Sequence, residues 1–114
     1  MILVTLFKKD EQFSAFVCAG HAGFAESGRD IVCAAVSALT YTCVNALESV
    51  AHVKPQTRVS DGFISARLPD GCTSHDAQVL LQGLYQGLCD IEAQYPSHIR
   101  LKISTESERR KHSC

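Results

Sequence analysis

The sequence predicts an α+β fold with the element order β-β-α-β-β-α-β, in which a mostly antiparallel sheet carries two helices, the first of them long and central. Three observations predict this class. Short apolar runs alternate with turn signals, a long apolar helical stripe begins at Ile31, and Asp61-Gly62 stands between two β-like runs. Pairs of strands separated by single helices are typical of α+β proteins rather than of a doubly wound sheet.

The N-terminal region predicts two strands joined by a polar turn. Ile2–Phe7 is a short apolar run, Lys8–Gln12 is the turn, and Phe13–Ala19 is the second strand. A period of two places alternate residues of this strand on one face. That face comprises Phe13, Ala15, Val17, Ala19 and His21. Gly20, just before the histidine, gives the backbone freedom to leave the sheet.

A loop at Ala22–Arg29 precedes the first helix, for which Asp30 is a suitable N-cap. We expect this helix to run from Ile31 to about Ala51, because Pro55 cannot continue it. At about 1.5 Å per residue it spans roughly 30 Å, enough to cross the domain. It is apolar around most of its girth, so we expect burial on more than one side, with a partner subunit as one candidate for the covering surface. Its apolar positions are Ile31, Val32, Ala35, Val36, Leu39, Cys43, Val44, Ala46, Leu47 and Val50.

The second half of the chain predicts a hairpin and then a second helix. Thr57–Ser60 and Phe63–Leu68 are the two strands of the hairpin. The helix is capped by Thr73 or Ser74 and is stopped by Pro96.

The last predicted element is a half-exposed strand at His98–Ser104, followed by a polar and charged tail at Thr105–Cys114. The strand alternates between two faces. Ile99, Leu101 and Ile103 are expected to point inward, and Arg100 and Lys102 outward. Residues 1–104 therefore form one predicted domain, and residues 105–114 a disordered extension.

Composition argues against several classes of protein. The net charge is −1, and no cluster of Lys and Arg in the folded part offers a grip on phosphates, so we expect no direct nucleic-acid contact. No apolar run approaches the roughly 20 residues of a membrane span without polar interruption. The N-terminal run lacks the charged start of a signal peptide. We therefore expect a cytoplasmic protein that does not contact a membrane.

The six cysteines are an even set, which in a short secreted protein predicts a disulfide framework. They lie instead mostly within periodic apolar segments, and this favours free thiols in a reducing compartment. No Cys-x-x-Cys or His-x-x-x-His pair suggests a metal site, and we expect no cofactor. Whether Cys72, in a turn, or Cys114, in the tail, is reactive stays open.

One histidine and one cysteine stand in a setting that suits catalysis. His21 follows a β-like run, and Cys33 is the third residue of the first helix, just after Asp30. A thiol attacks as thiolate, and a free cysteine has a pKa near ~8.5. The helix dipole contributes on the order of 0.3–1 kcal/mol, which lowers that pKa by less than one unit. A neighbouring imidazolium would supply the rest, which favours a Cys33–His21 pair.

The start of the same helix offers backbone N–H donors for an oxyanion, that of Cys33 among them. Each residue also has a structural interpretation. A cysteine in an alanine-rich helix is often only a buried small hydrophobe, and a histidine at a strand end is often only a surface residue. Asp30 can cap the helix, orient His21, or do both.

The stretch from Gly20 to Thr40 closely resembles the signature of the ribosomal-processing cysteine proteases (Prp). The matching residues are Gly20-His21-Ala22-Gly23 and Gly28-Arg29-Asp30-Ile31-Val32-Cys33-Ala34-Ala35-Val36-Ser37. In that family the histidine and the cysteine form a catalytic dyad. The resemblance therefore implies that Cys33 is the nucleophile and His21 the general base and acid.

The resemblance further implies a cytoplasmic, homodimeric bacterial endopeptidase. Members of the family remove an N-terminal extension from a large-subunit ribosomal protein precursor, after a pair of aromatic residues. A substrate loop that contains Gly20, Gly23, Phe24 and Gly28 would close over the peptide. The alternative is a non-catalytic, ribosome-associated protein-binding module that keeps Cys33 and His21 for structure.

Overall fold

The computed structural model describes residues 1–20 and 30–106, in which the elements follow the predicted order. The strands are β1 (Ile2–Lys9), β2 (Gln12–Ala19), β3 (Gln56–Ser60), β4 (Phe63–Arg67) and β5 (Ile99–Thr105), and the helices are α1 (Ile31–Ser49) and α2 (His75–Gln94). The strands form one sheet in the order β3-β4-β2-β1-β5. Among these five strands only β1 and β5 are parallel neighbours, so the predicted α+β class with a mostly antiparallel sheet is confirmed.

Two tight turns close the two hairpins. Asp10 and Glu11 join β1 to β2 with φ angles of 52° and 67°, and Asp61-Gly62 joins β3 to β4 with Gly62 at φ 67°. Positive φ angles in two-residue loops match the twist of the flanking strands. The first turn is shorter than the sequence predicted, because Lys9 and Gln12 still pair in the ladder.

A β-bulge at Ser14 corrects the predicted face of β2. Phe7 pairs with Ala15 but Lys8 pairs with Phe13, so Ser14 is an extra residue. An extra residue reverses the alternation beyond it. Phe13 therefore shares the helix-covered face with Phe16 and Cys18, which are the partners of Leu6 and Val4, whereas Ala15, Val17 and Ala19 lie on the opposite face. The prediction that Phe13, Ala15, Val17 and Ala19 share one face is wrong.

Gln78 of α2 completes the backbone of β2 next to this bulge. Its side-chain Oε1 accepts from the Phe13 N–H at 2.9 Å, and its Nε2 donates to the Phe13 carbonyl at 2.7 Å. Strand β4 is in register with β2 only from Ala15 onward, so it does not cover Phe13. The buried amide thus acts as a one-residue substitute for a neighbouring strand.

Both helices pack on one face of the sheet around an apolar core. The buried stripe of α1 comprises Val32, Val36, Thr40, Cys43 and Leu47. Ile31 and Val50, which the sequence placed in the core, are 52% and 58% exposed. Helix α1 nevertheless packs against α2 as well as against the sheet, so it is buried on two sides, and the side that carries Ile31 and Val50 is exposed in this chain. By length and composition α1 is also apolar enough to cross a membrane, a test that the core helix of a soluble protein passes too.

The edge strand β5 departs from its predicted alternation. Ile99 is fully buried and Leu101 half-buried, but Ile103 is 43% exposed, so its predicted inward packing is wrong. An edge strand has a neighbour on one side only, and the helix layer covers only its beginning. The outward N–H of Leu101 is nevertheless used, because it donates to Glu92 of α2 at 2.7 Å. Residues 107–114 of the predicted tail lie outside the described residues.

Candidate active site

Cys33 lies in the first turn of α1, directly under the helix cap. Asp30 has extended backbone angles, φ −81° and ψ 93°, and its carboxylate Oδ1 accepts from the Cys33 N–H at 2.9 Å. This hydrogen bond satisfies one of the N–H groups that a helix start leaves without an intrahelical acceptor. The same bond occupies the Cys33 N–H, which the sequence predicted as a donor to an oxyanion. The earlier N–H groups of the turn, on Ile31 and Val32, are the ones that have no intrahelical acceptor.

A cavity of about 260 Å³ opens beside Cys33. It lies between α1 and the end of the sheet where β2 ends and the β3–β4 hairpin turns. From α1 it is lined by Cys33, Val36, Ser37, Thr40 and Tyr41, from β2 by Cys18 and Gly20, from β1 by Ile2, and from the hairpin by residues 60–64. Asp61 is the charged side chain among these lining residues. Apart from Asp61, the cavity is lined by uncharged residues, and Cys33 lies in its wall.

Gly20 fixes the end of β2 at the wall of this cavity. Its φ is +101°, which side chains of L-residues rarely adopt, and a Cβ atom there would clash with the Met1 carbonyl oxygen. Its N–H donates to the Gly62 carbonyl in the hairpin turn at 2.8 Å. Gly20 is thus bonded to the hairpin turn and lies close to Met1, and only glycine fits there without strain.

The described residues bring together some of the predicted site and leave the rest outside. Gly20 and Cys33 line one cavity, and Asp30 is bonded to Cys33. His21, Gly23, Phe24 and Gly28, with the whole loop at 21–29, lie outside the described residues. The pairing of Cys33 with His21 and the closure of this loop over a peptide therefore stay predictions.

Cys18 is a residue of this site that sequence reasoning missed. It is 7% exposed and lines the same cavity as Cys33. Burial raises the pKa of the Cys18 thiol to about 11, and the charge of Cys33 adds to the rise. The pattern of β2 placed Cys18 on the face away from the helices, because the sequence carries no sign of the bulge at Ser14. A search for thiols two residues before Gly20 would have identified it.

The other described cysteines lie away from Cys33. Burial alone raises the pKa of Cys43 to about 11, and its Sγ contacts the Leu80 carbonyl at 3.9 Å. Cys72 lines a separate cavity, and Cys89 lies on α2. None of the five described cysteines forms a disulfide with another described cysteine. Among residues 1–20 and 30–106, no group of three or more His, Cys, Asp or Glu side chains could hold a metal ion.

Comparison with known proteins identifies relatives over most of the chain. The family model described as "Cysteine protease Prp" matches residues 1–100. The ribosomal processing cysteine protease Prp of Bacillus subtilis (strain 168) is 32% identical over 107 residues, which are 89% of this chain and 96% of that protein. Its counterpart in Staphylococcus aureus (strain Mu50) is 35% identical over 104 residues, which are 89% and 97%.

Solved structures agree with this match. The essential ribosomal processing protease Prp from S. aureus, in complex with a covalently linked product peptide, has a TM-score of 0.85 and 34% identity, with coverage of 90% of this chain and 99% of that one. SMU.848 from Streptococcus mutans has a TM-score of 0.83 and 31% identity, with coverage of 92% and 95%. The fold of the chain is therefore that of these proteins, over nearly their whole length.

Proposed function

The chain belongs to the family of ribosomal-processing cysteine proteases Prp, and from this membership we propose that it removes the N-terminal extension of a large-subunit ribosomal protein precursor with a Cys33–His21 dyad. Membership of this family makes the protein a cysteine peptidase, which is a hydrolase of peptide bonds. The observation that carries the choice of nucleophile is the placement of Cys33. Of the described cysteines, it alone combines a helix first turn with a cavity wide enough for a peptide side chain.

In the proposed reaction, the Cys33 thiolate attacks the scissile carbonyl and forms a tetrahedral intermediate. His21 takes the thiol proton and gives it to the leaving amine, which leaves an acyl-enzyme. Water activated by His21 then hydrolyses the thioester. The oxyanion would be held by N–H groups of the first turn of α1. Because Asp30 engages the Cys33 N–H, the donors with no intrahelical acceptor belong to Ile31 and Val32.

The cap gives a reason to propose a cation near Cys33. The Asp30 carboxylate lies one hydrogen bond from the Cys33 backbone, and a negative charge at this distance disfavours a thiolate. The helix dipole acts in the opposite sense but is modest. An imidazolium at His21, the residue after Gly20, which lines the cavity, would add to the dipole and offset the charge of Asp30. Asp30 can orient that imidazolium in addition to capping α1.

The substrate would lie across the cavity with its extended backbone over Cys33. Two S. aureus Prp structures among the relatives hold peptides, one covalently linked and one a substrate. By resemblance, the peptide bond cleaved here follows a pair of aromatic residues. One aromatic side chain would enter the cavity between Tyr41 and the β3–β4 hairpin. The loop that carries Gly23, Phe24 and Gly28 would close over it, while Gly20, which is bonded to Gly62, stays in place.

We also propose the setting in which the protein works. It acts in the cytoplasm, where its thiols stay reduced. It forms a homodimer, for which the exposed and almost uncharged outer side of α1, including Ala34, Ala38 and Thr42, is a suitable surface. Its partner is the precursor protein, with no direct contact to nucleic acid or membrane and with no cofactor.

The decisive experiment mixes the purified full chain with the precursor ribosomal protein and measures the product mass. Wild-type protein should release one N-terminal fragment that ends after two aromatic residues. Cys33→Ala should abolish the release and keep the fold, because the volume lost is small. Cys72→Ala is the matched control: it removes another half-buried thiol, from a separate cavity, and should cleave normally. Turnover by Cys33→Ala would refute Cys33 as the nucleophile.

The role of His21 needs a second measurement. The alkylation rate of Cys33 as a function of pH reports its thiolate population. His21→Ala should move the midpoint of that profile to higher pH, while His52→Ala, a histidine outside the cavity, should leave it unchanged. If His21→Ala has no effect, another group activates the thiol. Slow alkylation of all six cysteines in the wild type would favour a non-catalytic binding module.

A further inference from the structure

A second thiol lies at the site where the nucleophile is proposed. Cys18 and Cys33 come from different elements, β2 and the first turn of α1, and line one cavity. Cys18 sits on the helix-covered face of the sheet, where its strand pairs with β1 at Val4 and with β4 at Ile64. It is 7% exposed, so its thiol is directed into the protein and not into solvent.

The charge of Cys33 also affects the pKa of Cys18. Burial raises the pKa of Cys18, and the charge of Cys33 raises it further. Cys43 is as deeply buried in the same core, yet burial alone accounts for the rise in its pKa. The comparison distinguishes Cys18 from an ordinary core thiol, since only Cys18 is close enough to Cys33 to be affected by it.

The proposed peptidase mechanism gives Cys18 no task. Its position in the core requires only a small apolar side chain, for which alanine or valine would serve. A second thiol beside a reactive cysteine is the arrangement in which an oxidised cysteine is captured as a disulfide. We propose that Cys18 is the resolving thiol of Cys33, so that oxidation by a hydroperoxide closes a reversible Cys18–Cys33 disulfide that inactivates the site. This inference rests on the proposed function, because it requires Cys33 to be the reactive thiol.

The chemistry takes two steps. The Cys33 thiolate attacks hydrogen peroxide, an S–O bond forms, the O–O bond breaks and hydroxide leaves, so that sulfur is oxidised to sulfenic acid by two electrons. The Cys18 thiolate then attacks the Cys33 sulfur, an S–S bond forms, and the S–O bond breaks. The departing hydroxide and the Cys18 proton form water. The sum is two thiols and one peroxide giving one disulfide and two waters.

Oxidation itself removes one barrier to closure. A sulfenic acid is neutral where the thiolate was charged, so the repulsion between Cys33 and an ionising Cys18 disappears once Cys33 is oxidised. Cys18 is anchored between two paired strands, and closure would bring the first turn of α1 towards it. The disulfide protects Cys33 from irreversible sulfinic acid, and a dithiol reductant restores the thiolate.

Peptide mapping of the full chain tests the proposal independently of peptidase activity. The reduced protein is treated with hydrogen peroxide, blocked with iodoacetamide and digested with trypsin, which cleaves after Arg29 and so separates Cys18 from Cys33. We expect a linked peptide that is two hydrogens lighter than the sum of its halves and that disappears with dithiothreitol. Cys43→Ala is the matched control, because it removes the other deeply buried thiol and leaves one cysteine in the α1 peptide. It should form the same link.

The Cys18→Ala variant defines the functional consequence. Its Cys33 should proceed to sulfinic acid, and dithiothreitol should no longer restore precursor cleavage, whereas wild-type protein should recover fully. If wild-type Cys33 gives sulfinic acid without a linked peptide, the proposal is refuted, whatever the variant does. A linked peptide in a protein that cleaves no precursor would leave the disulfide standing and refute the proposed peptidase substrate. Normal cleavage without a linked peptide would support the proposed peptidase substrate and refute the disulfide.

Discussion

Asp30 and Gly20 fix the two ends of the segment that separates Cys33 from β2. Asp30 bonds to the Cys33 N–H, and Gly20 bonds to Gly62 at a φ angle of +101°. Each depends on a local rule, an acidic N-cap in one case and the absence of a Cβ atom in the other. Such rules act over one or two residues, which is why the sequence placed a cap at Asp30 and a backbone exit at Gly20.

The substitution Gly20→Ala should lower the free energy of unfolding by roughly 2–4 kcal/mol, the sum of a strained φ angle and a steric clash. The clash is with the Met1 carbonyl, a backbone atom that has little room to move. Gly71→Ala is the control, because Gly71 also has a positive φ, +76°, but has no atom within 4 Å of the added Cβ. In urea unfolding, Gly71→Ala should lower the free energy of unfolding by only about 1–2 kcal/mol. Equal losses would show that the Met1 contact is unimportant.

Cys43 makes the stability of the protein fall as the pH rises into the alkaline range. Burial raises the pKa of Cys43 to about 11 in the folded state, above its ordinary value of 9.0. Below pH 9 the thiol is protonated in both states, and its contribution to stability is fully present. As the pH rises towards 11, the unfolded chain loses its proton first, so that contribution is lost.

We expect the stability difference between wild type and Cys43→Ala to shrink between pH 8 and pH 10.5, values chosen on the two sides of the ordinary pKa. Urea unfolding under reducing conditions at both pH values measures it. Titration of lysines and tyrosines affects both proteins equally and cancels in the difference. A difference that is independent of pH would show that the buried thiol is not shielded from water in the way the structure indicates.

The junction between β2 and α2 shows an interaction between elements that are far apart in the sequence. Gln78 bonds to both the N–H and the carbonyl of Phe13, 65 residues away. Among residues 1–20 and 30–106, every buried polar side-chain atom has a hydrogen-bond partner. The loss of this amide would leave two backbone groups in the core without partners, which costs more than a hydrogen bond contributes on average.

Gln78→Leu, which preserves size, should therefore lower the free energy of unfolding by about 2–4 kcal/mol. Gln78→Glu keeps an acceptor for the Phe13 N–H but lacks the donor, and it should also be destabilised. Gln82→Leu, at an exposed position on the same helix, should stay within about 0.5 kcal/mol of wild type. Thermal or urea unfolding measures all three. A Gln78→Leu protein as stable as wild type would mean that water or a rearranged strand satisfies Phe13.

The same junction shows which features of the elements could not be predicted from the sequence. The hairpins, both helices and their caps follow from patterns local to each segment, and they lie where the sequence predicted them within a few residues. The bulge at Ser14 has no such pattern, and it moved Cys18 into the cavity with Cys33. The exposure of Ile31 and Ile103 was also missed, because a stripe shows which residues are apolar and not how wide the covering layer is.

Across the whole molecule, burial and strand pairing differ from one edge of the sheet to the other. Strands β1 and β2 form its centre, with paired neighbours on both sides and buried residues such as Leu6 and Phe16. All five residues of β3 are exposed, and among the described strands it pairs only with β4. Opening free energies in proteins follow such differences, from near zero at poorly packed edges to the full stability in the core. The wall of the candidate site contributed by the hairpin turn therefore belongs to the less stable side of the sheet.

Hydrogen exchange of the full chain should follow this gradient. Amides of β1 and β2 should exchange only through global unfolding, with rates that rise steeply with urea, whereas those of β3 that bond to β4 should exchange through a smaller opening that depends little on urea. Mass spectrometry of peptides that cover residues 2–19 and 56–60 measures both. Gln78→Leu is a useful control, because it lowers global stability and should accelerate β1 and β2 while leaving β3 unchanged. Equal and high protection of β3 would contradict the gradient and show that this edge is covered in solution, as it would be if a second copy of the chain paired there.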